Sequence, residues 1–156
     1  LDDVKALLSQ GYWKALNKPL SKSMWFEAVR PVILTYFNKK QGRENVLNLG
    51  HVRAEIYFGK VLELKCFPPG INKTHSLENA HPHISRDGNP CWGSLKPAYE
   101  DAVASLSIKG MLFTLSRLLQ TYTEGDAFIS IYNFEENMYV DNPPVADEYI
   151  LDDVDF

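Results

Sequence analysis

Cysteine is scarce: Cys66 and Cys91 are the two in 156 residues, too few for a disulfide framework. A reduced, cytoplasmic setting is the expectation from that count. Long apolar runs are missing too. No stretch approaches the ~18 uninterrupted apolar residues of a membrane span, and none reads as a secretory signal. The chain opens on Leu1 rather than Met, which leaves room for residues upstream. Lys and Arg are absent after Arg117: residues 1–117 hold all 16 bases against 10 acids, and residues 118–156 hold 10 acids alone. An acidic end on a mildly basic body, with no dense Lys/Arg cluster, argues against nucleic acid as a partner, and no membrane partner is expected.

What is present points to a packed domain. The chain is 45% hydrophobic and 12% aromatic, which excludes a disordered chain, a collagen-like fibre and a coiled coil. Its length suits one domain, read as residues 1–134, followed by an acidic and flexible tail over 135–156. That tail carries eight acids, no base and Pro143-Pro144. Its expected role is to dock on a basic face of a partner, with no part in folding.

Patterning suggests an α+β fold. Residues 2–9 read as a short helix stopped by Gly11. Residues 23–38 read as a second helix, with Ser23 as N-cap and Phe26, Val29, Ile33 and Phe37 on one face; Pro31 should kink or divide it. The period then changes to two over 45–49, 51–58 and 60–67, which predicts an antiparallel meander of three or four strands with a tight turn at Gly59. Pro68-Pro69-Gly70 ends it. A long irregular loop follows, and loops of that length in compact domains are usually functional. Helices are expected over 98–106 and 108–122, the second with a stripe of Met111, Leu112, Leu115, Leu118, Leu119 and Tyr122.

The chemistry gathers in the loop. Three of the four histidines (His75, His81, His83) and both cysteines fall within residues 66–91. A loop cysteine is most often a small hydrophobe, but Cys91 sits among Pro90 and Gly93 rather than on an apolar face. Cys66 ends a strand on the side of Leu62 and Leu64, so packing is its expected role, with Cys91 the reachable thiol. A zinc loop of His81, His83 and Cys91, completed by Cys66 or His75, has suitable ligand types but lacks the usual CxxC or HxxxH pair.

The segment from His81-Pro82-His83 to Cys91 resembles the active-site loop of ubiquitin-conjugating enzymes, in which the catalytic cysteine lies ten residues after the His of a His-Pro-Asn motif. His81 and Cys91 are ten apart, and Gly88 matches a usual glycine. His83 stands where the family carries Asn, and Pro90 where it prefers Ile or Val, so the similarity is to divergent, prokaryotic or phage-borne members. It spans roughly residues 23–130. The resemblance implies an antiparallel meander flanked by helices and a thioester-carrying transferase that passes a ubiquitin-like modifier to an amine. The implied partners are that modifier, its activating enzyme and a substrate protein, with no cofactor. It implies roles for Cys91 as nucleophile, His83 as oxyanion donor and Asp126, with Glu124 as fallback, as the acid that orients the incoming lysine. His81, Pro82 and Gly88 would hold the loop. A non-catalytic module or a viral or phage structural component with the same fold remains the competing reading.

Overall fold

The computed structural model describes residues 12–16, 22–71, 78–123, 125, 127–132 and 134. The helix expected over 2–9, the tail 135–156, His75, Glu124 and Asp126 lie outside them. Six strands come first: β1 (Trp13–Ala15), β2 (Ser23–Ala28), β3 (Val32–Asn38), β4 (Arg43–Gly50), β5 (Arg53–Phe58) and β6 (Leu62–Phe67). A 3-10 turn at Gly93–Leu95 then leads into helices α1 (Lys96–Ala104) and α2 (Ile108–Leu119). All pairings are antiparallel, in a four-stranded sheet ordered β1-β2-β5-β6 and a two-stranded sheet β3-β4. The α+β class expected from the sequence is therefore observed.

The helix expected over 23–38 is instead two strands, divided at Pro31. Met24, Phe26 and Ala28, then Leu34, Tyr36 and Asn38, are buried in strict alternation. The apolar residues that mimic a helical stripe, Val29, Ile33 and Phe37, sit on the other face, where Phe37 is 59% exposed. The β-branched and aromatic residues Trp25, Phe26, Val32, Ile33, Thr35, Tyr36 and Phe37 favour strands, and that preference prevails over the i, i+4 spacing.

The meander is rearranged as a consequence. Residues 45–49 and 51–58 do not pair with each other. They run on in one direction through a bend at Gly50, whose φ of +75° is open to glycine without penalty. Their partner is the 23–38 segment: β2 pairs with β5 and β3 with β4, and Ala28 N–H donates to Val52 C=O across the bend (2.9 Å). The result is one long bent hairpin. β6 then pairs with β5 after a short loop at residues 59–61, as the alternation there predicts.

One core joins these layers. Phe26, Ala54, Ile56, Leu64 and Cys66 from the larger sheet and Leu34, Leu47 and Leu49 from the smaller meet Met111, Leu112, Leu115, Leu118 and Leu119 of α2. Each such side chain contributes roughly 1.5–3 kcal/mol on burial. Ser107 caps α2 by accepting the Gly110 N–H at 2.9 Å. Trp13 Nε1–H donates to Ser116 Oγ (2.8 Å), which ties β1 to the same helix. The core extends to Ile131 and Phe134, so it runs past residue 130. Among the described residues no helix is long and apolar enough to cross a membrane.

Candidate functional site

Residues 81–91 fold into a small hairpin seated on β6. Ile84 and Pro90 form an antiparallel bridge. Ser85 N–H donates to Asn89 C=O (3.0 Å), and Gly88 N–H donates to Ser85 C=O (2.9 Å). The hairpin tip is pinned because Cys66 N–H donates to Gly88 C=O at 2.9 Å. Gly88 holds φ +86°, and a Cβ there would stand 2.8 Å from the Phe67 ring and 3.0 Å from Lys65 Cβ. Only glycine meets both conditions.

Two buried imidazoles brace the hairpin from beneath. His81 is fully buried and His83 is 3% exposed. Their rings stack with centroids 5.5 Å apart, and the His83 ring leans on Tyr122 at the same separation. His83 N–H donates to His81 Nδ1 (3.0 Å), so His81 is neutral and carries its proton on Nε2. That Nε2–H closes no hydrogen bond among the described residues. The Leu119 and Thr121 carbonyls lie on its side and favour the proton, but burial and the neighbouring His83 outweigh them and push the His81 pKa down to about 3. Thr123 N–H donates to His83 Nε2 (2.8 Å), which fixes the donor of neutral His83 at Nδ1. The His83 carbonyl accepts the Cys91 N–H (2.8 Å). A continuous relay of backbone and ring contacts thus runs from His81 through His83 to Cys91.

Cys91 opens on a cavity of about 560 Å³ whose wall includes His83, Trp92, Ser94, Arg117, Gln120 and Thr123. Trp92 stacks on Tyr99 (centroids 4.2 Å), whose hydroxyl accepts the Leu64 N–H (3.2 Å). That contact anchors the chain just after Cys91 to the sheet. A second cavity, about 370 Å³ between Trp13, Pro31, Ile33 and Leu119, has neither cysteine nor histidine in its wall. The thiol chemistry therefore belongs to the first.

The sequence-derived candidates separate clearly. Cys91, His83, His81, Pro82 and Gly88 come together in and under the hairpin, and Pro82 C=O also accepts the Phe128 N–H (2.9 Å). Cys66 is buried in the core, where desolvation raises its thiol pKa far above the ordinary range. No three His, Cys, Asp or Glu side chains among the described residues are placed to hold a metal ion. Several contributors carry no local sequence signal: Thr123, which meets His83 across 40 positions; Arg117; and Asn79, whose Nδ2 donates to Ile84 C=O at 2.7 Å. Comparison with family models, curated proteins and solved structures finds no match.

Burial predicts the order of thiol reactivity. Brief iodoacetamide treatment of the native protein followed by peptide mass mapping is expected to label Cys91 faster than Cys66 by about a hundredfold or more. Equal labelling would place Cys66 outside the core.

Proposed function

We propose that the protein is a divergent member of the ubiquitin-conjugating-enzyme fold, acting as a thioester carrier through Cys91. The observation that carries this reading is a half-buried thiol, held by its own backbone in a braced hairpin and facing a cavity large enough for an acyl group and an acceptor. The His81-Pro82 to Cys91 spacing supports it, as does the sequence of strands, proline-bounded loop and long helix.

In this reading the Cys91 thiolate attacks the carbonyl carbon of an incoming thioester, and the donor's sulfur leaves with the bonding pair. An amine then attacks the new thioester carbonyl. The C–S bond breaks, Cys91 departs as thiolate, and the amine gives up one proton. The net products are an amide and a free Cys91 thiol. The His83 carbonyl positions the nucleophile's backbone, and His83 keeps its proposed role toward the oxyanion. Asp126, three residues after Thr123 in the sequence, keeps its proposed role toward the amine.

A synthetic peptide α-thioester ending in Gly-Gly tests the acyl step without its natural donor. The wild type is expected to gain the mass of the peptide at Cys91 and lose it on adding dithiothreitol. Cys91→Ser is expected to give no thiol-labile adduct, and Cys66→Ala to keep it. A wild type that never acquires the adduct would instead indicate a binding module that retains the hairpin as architecture.

A further inference from the structure

The wall of the Cys91 cavity carries charge of one sign among the described residues. Arg117, on the last turn of α2, is exposed and has no ion-pair partner among them. Beside it stand the Gln120 amide and the hydroxyls of Ser94 and Thr123. Thr121 belongs to the same wall, but its hydroxyl is spent as a donor to Leu118 C=O (2.9 Å). No Asp or Glu among the described residues lines this space.

The oxyanion of each acyl step is assigned above to His83, and the thioester itself presents no carboxylate for a guanidinium to bind. Once a carboxyl group is joined to sulfur as a thioester, its charge is gone. The remaining entrant is the amine, which attacks only when neutral. A cation nearby disfavours the ammonium form and so favours the nucleophile. The same cation also offers a fork that matches a carboxylate in two hydrogen bonds. A cavity of about 560 Å³ holds a lysine side chain and one neighbour.

We infer that Arg117 is a specificity-determining residue, selecting acceptor amines that lie beside a carboxylate, such as a lysine followed closely by Glu or Asp. This inference rests on the thioester-carrier reading of Cys91. Two measurements test it together. In the first, protein loaded with the Gly-Gly peptide thioester is discharged onto acetyl-Ala-Lys-Ala-Glu-amide or onto its Gln counterpart, and the rate ratio is read by intact mass. The ratio is expected to be about five in the wild type, the scale of one exposed guanidinium–carboxylate pair. It should fall to about one in Arg117→Ala and drop below one in Arg117→Glu. A ratio of one in the wild type, or an unchanged ratio in Arg117→Ala, overturns the inference while leaving the carrier reading intact. In the second, the same peptides are titrated into unloaded protein and Trp92 fluorescence is followed, the signal being assigned by its loss in Trp92→Phe. If the wild type fails to load at all, the carrier reading falls and this titration decides the rest. Binding of the Glu peptide that Arg117→Ala abolishes supports the anion-selecting role, and binding indifferent to Glu or to Arg117 overturns it.

Discussion

Gly88→Val is expected to cost about 3 kcal/mol of folding stability and to lower the melting temperature by about 10 °C. Two effects add. A side chain at φ +86° is strained by roughly 1–2 kcal/mol wherever it points. The new Cβ also meets the Phe67 ring at 2.8 Å, and that ring has little room to yield. Phe67 is fully buried and packs against Trp25 with centroids 5.7 Å apart. The relief available is for the hairpin tip to lift from β6, breaking the Cys66–Gly88 hydrogen bond and loosening the loop that carries Cys91. Gly70→Ala is the control for Gly88→Ala: its φ is +80°, with no atom of the described residues within 4 Å of the added Cβ, so strain alone applies. It is expected to lose about 1 kcal/mol. Equal losses in Gly88→Ala and Gly70→Ala, measured by urea denaturation, would mean that the contact with Phe67 is inconsequential.

Acid should weaken the protein through His81. Its folded pKa of about 3 lies below the ordinary 6.5 because burial excludes the proton, with His83 adding to the effect. The unfolded chain therefore binds that proton more readily. The His81 contribution is complete above the unfolded pKa and is lost as the pH falls through 6.5 toward 3. Between pH 7.5 and pH 5 the loss is about 2 kcal/mol. His81→Asn retains an acceptor near the Nδ1 position for the His83 N–H and removes the titration, so its stability should fall less over the same range. Glu55, whose carboxyl pKa burial raises, titrates in the opposite sense and is common to both proteins. Parallel pH profiles for the two proteins would show that His81 is not the proton acceptor.

The sequence made some of this arrangement readable and hid the rest for identifiable reasons. The alternation of β5 and β6, the stripe of α2 and the crowding of His81, His83 and Cys91 into one loop all lie in local pattern. The 23–38 segment misled because large apolar residues, Trp25, Ile33 and Phe37, also stand on the less buried face of its strands. Val29, Ile33 and Phe37 fall four apart, while the burial alternation of Met24, Phe26 and Ala28 is partly hidden by Trp25 between them. Meander connectivity went with it, since β4 and β5 read as separate neighbours until their true partner is a strand. The contacts of Thr123 and Asn79 with the hairpin depend on folding distance, which no local period encodes.

β6 lies at the margin of the larger sheet, and its outward backbone is already spoken for. Leu64 N–H is held by the Tyr99 hydroxyl and Cys66 N–H by the Gly88 carbonyl, so two amide groups that would recruit another strand are occupied by a side chain and a turn. The hairpin that presents Cys91 thereby also acts as a guard against edge-to-edge aggregation. Growth of this larger sheet is left to its opposite margin, where β1 offers a ladder of three residues, too short to template a fibril well.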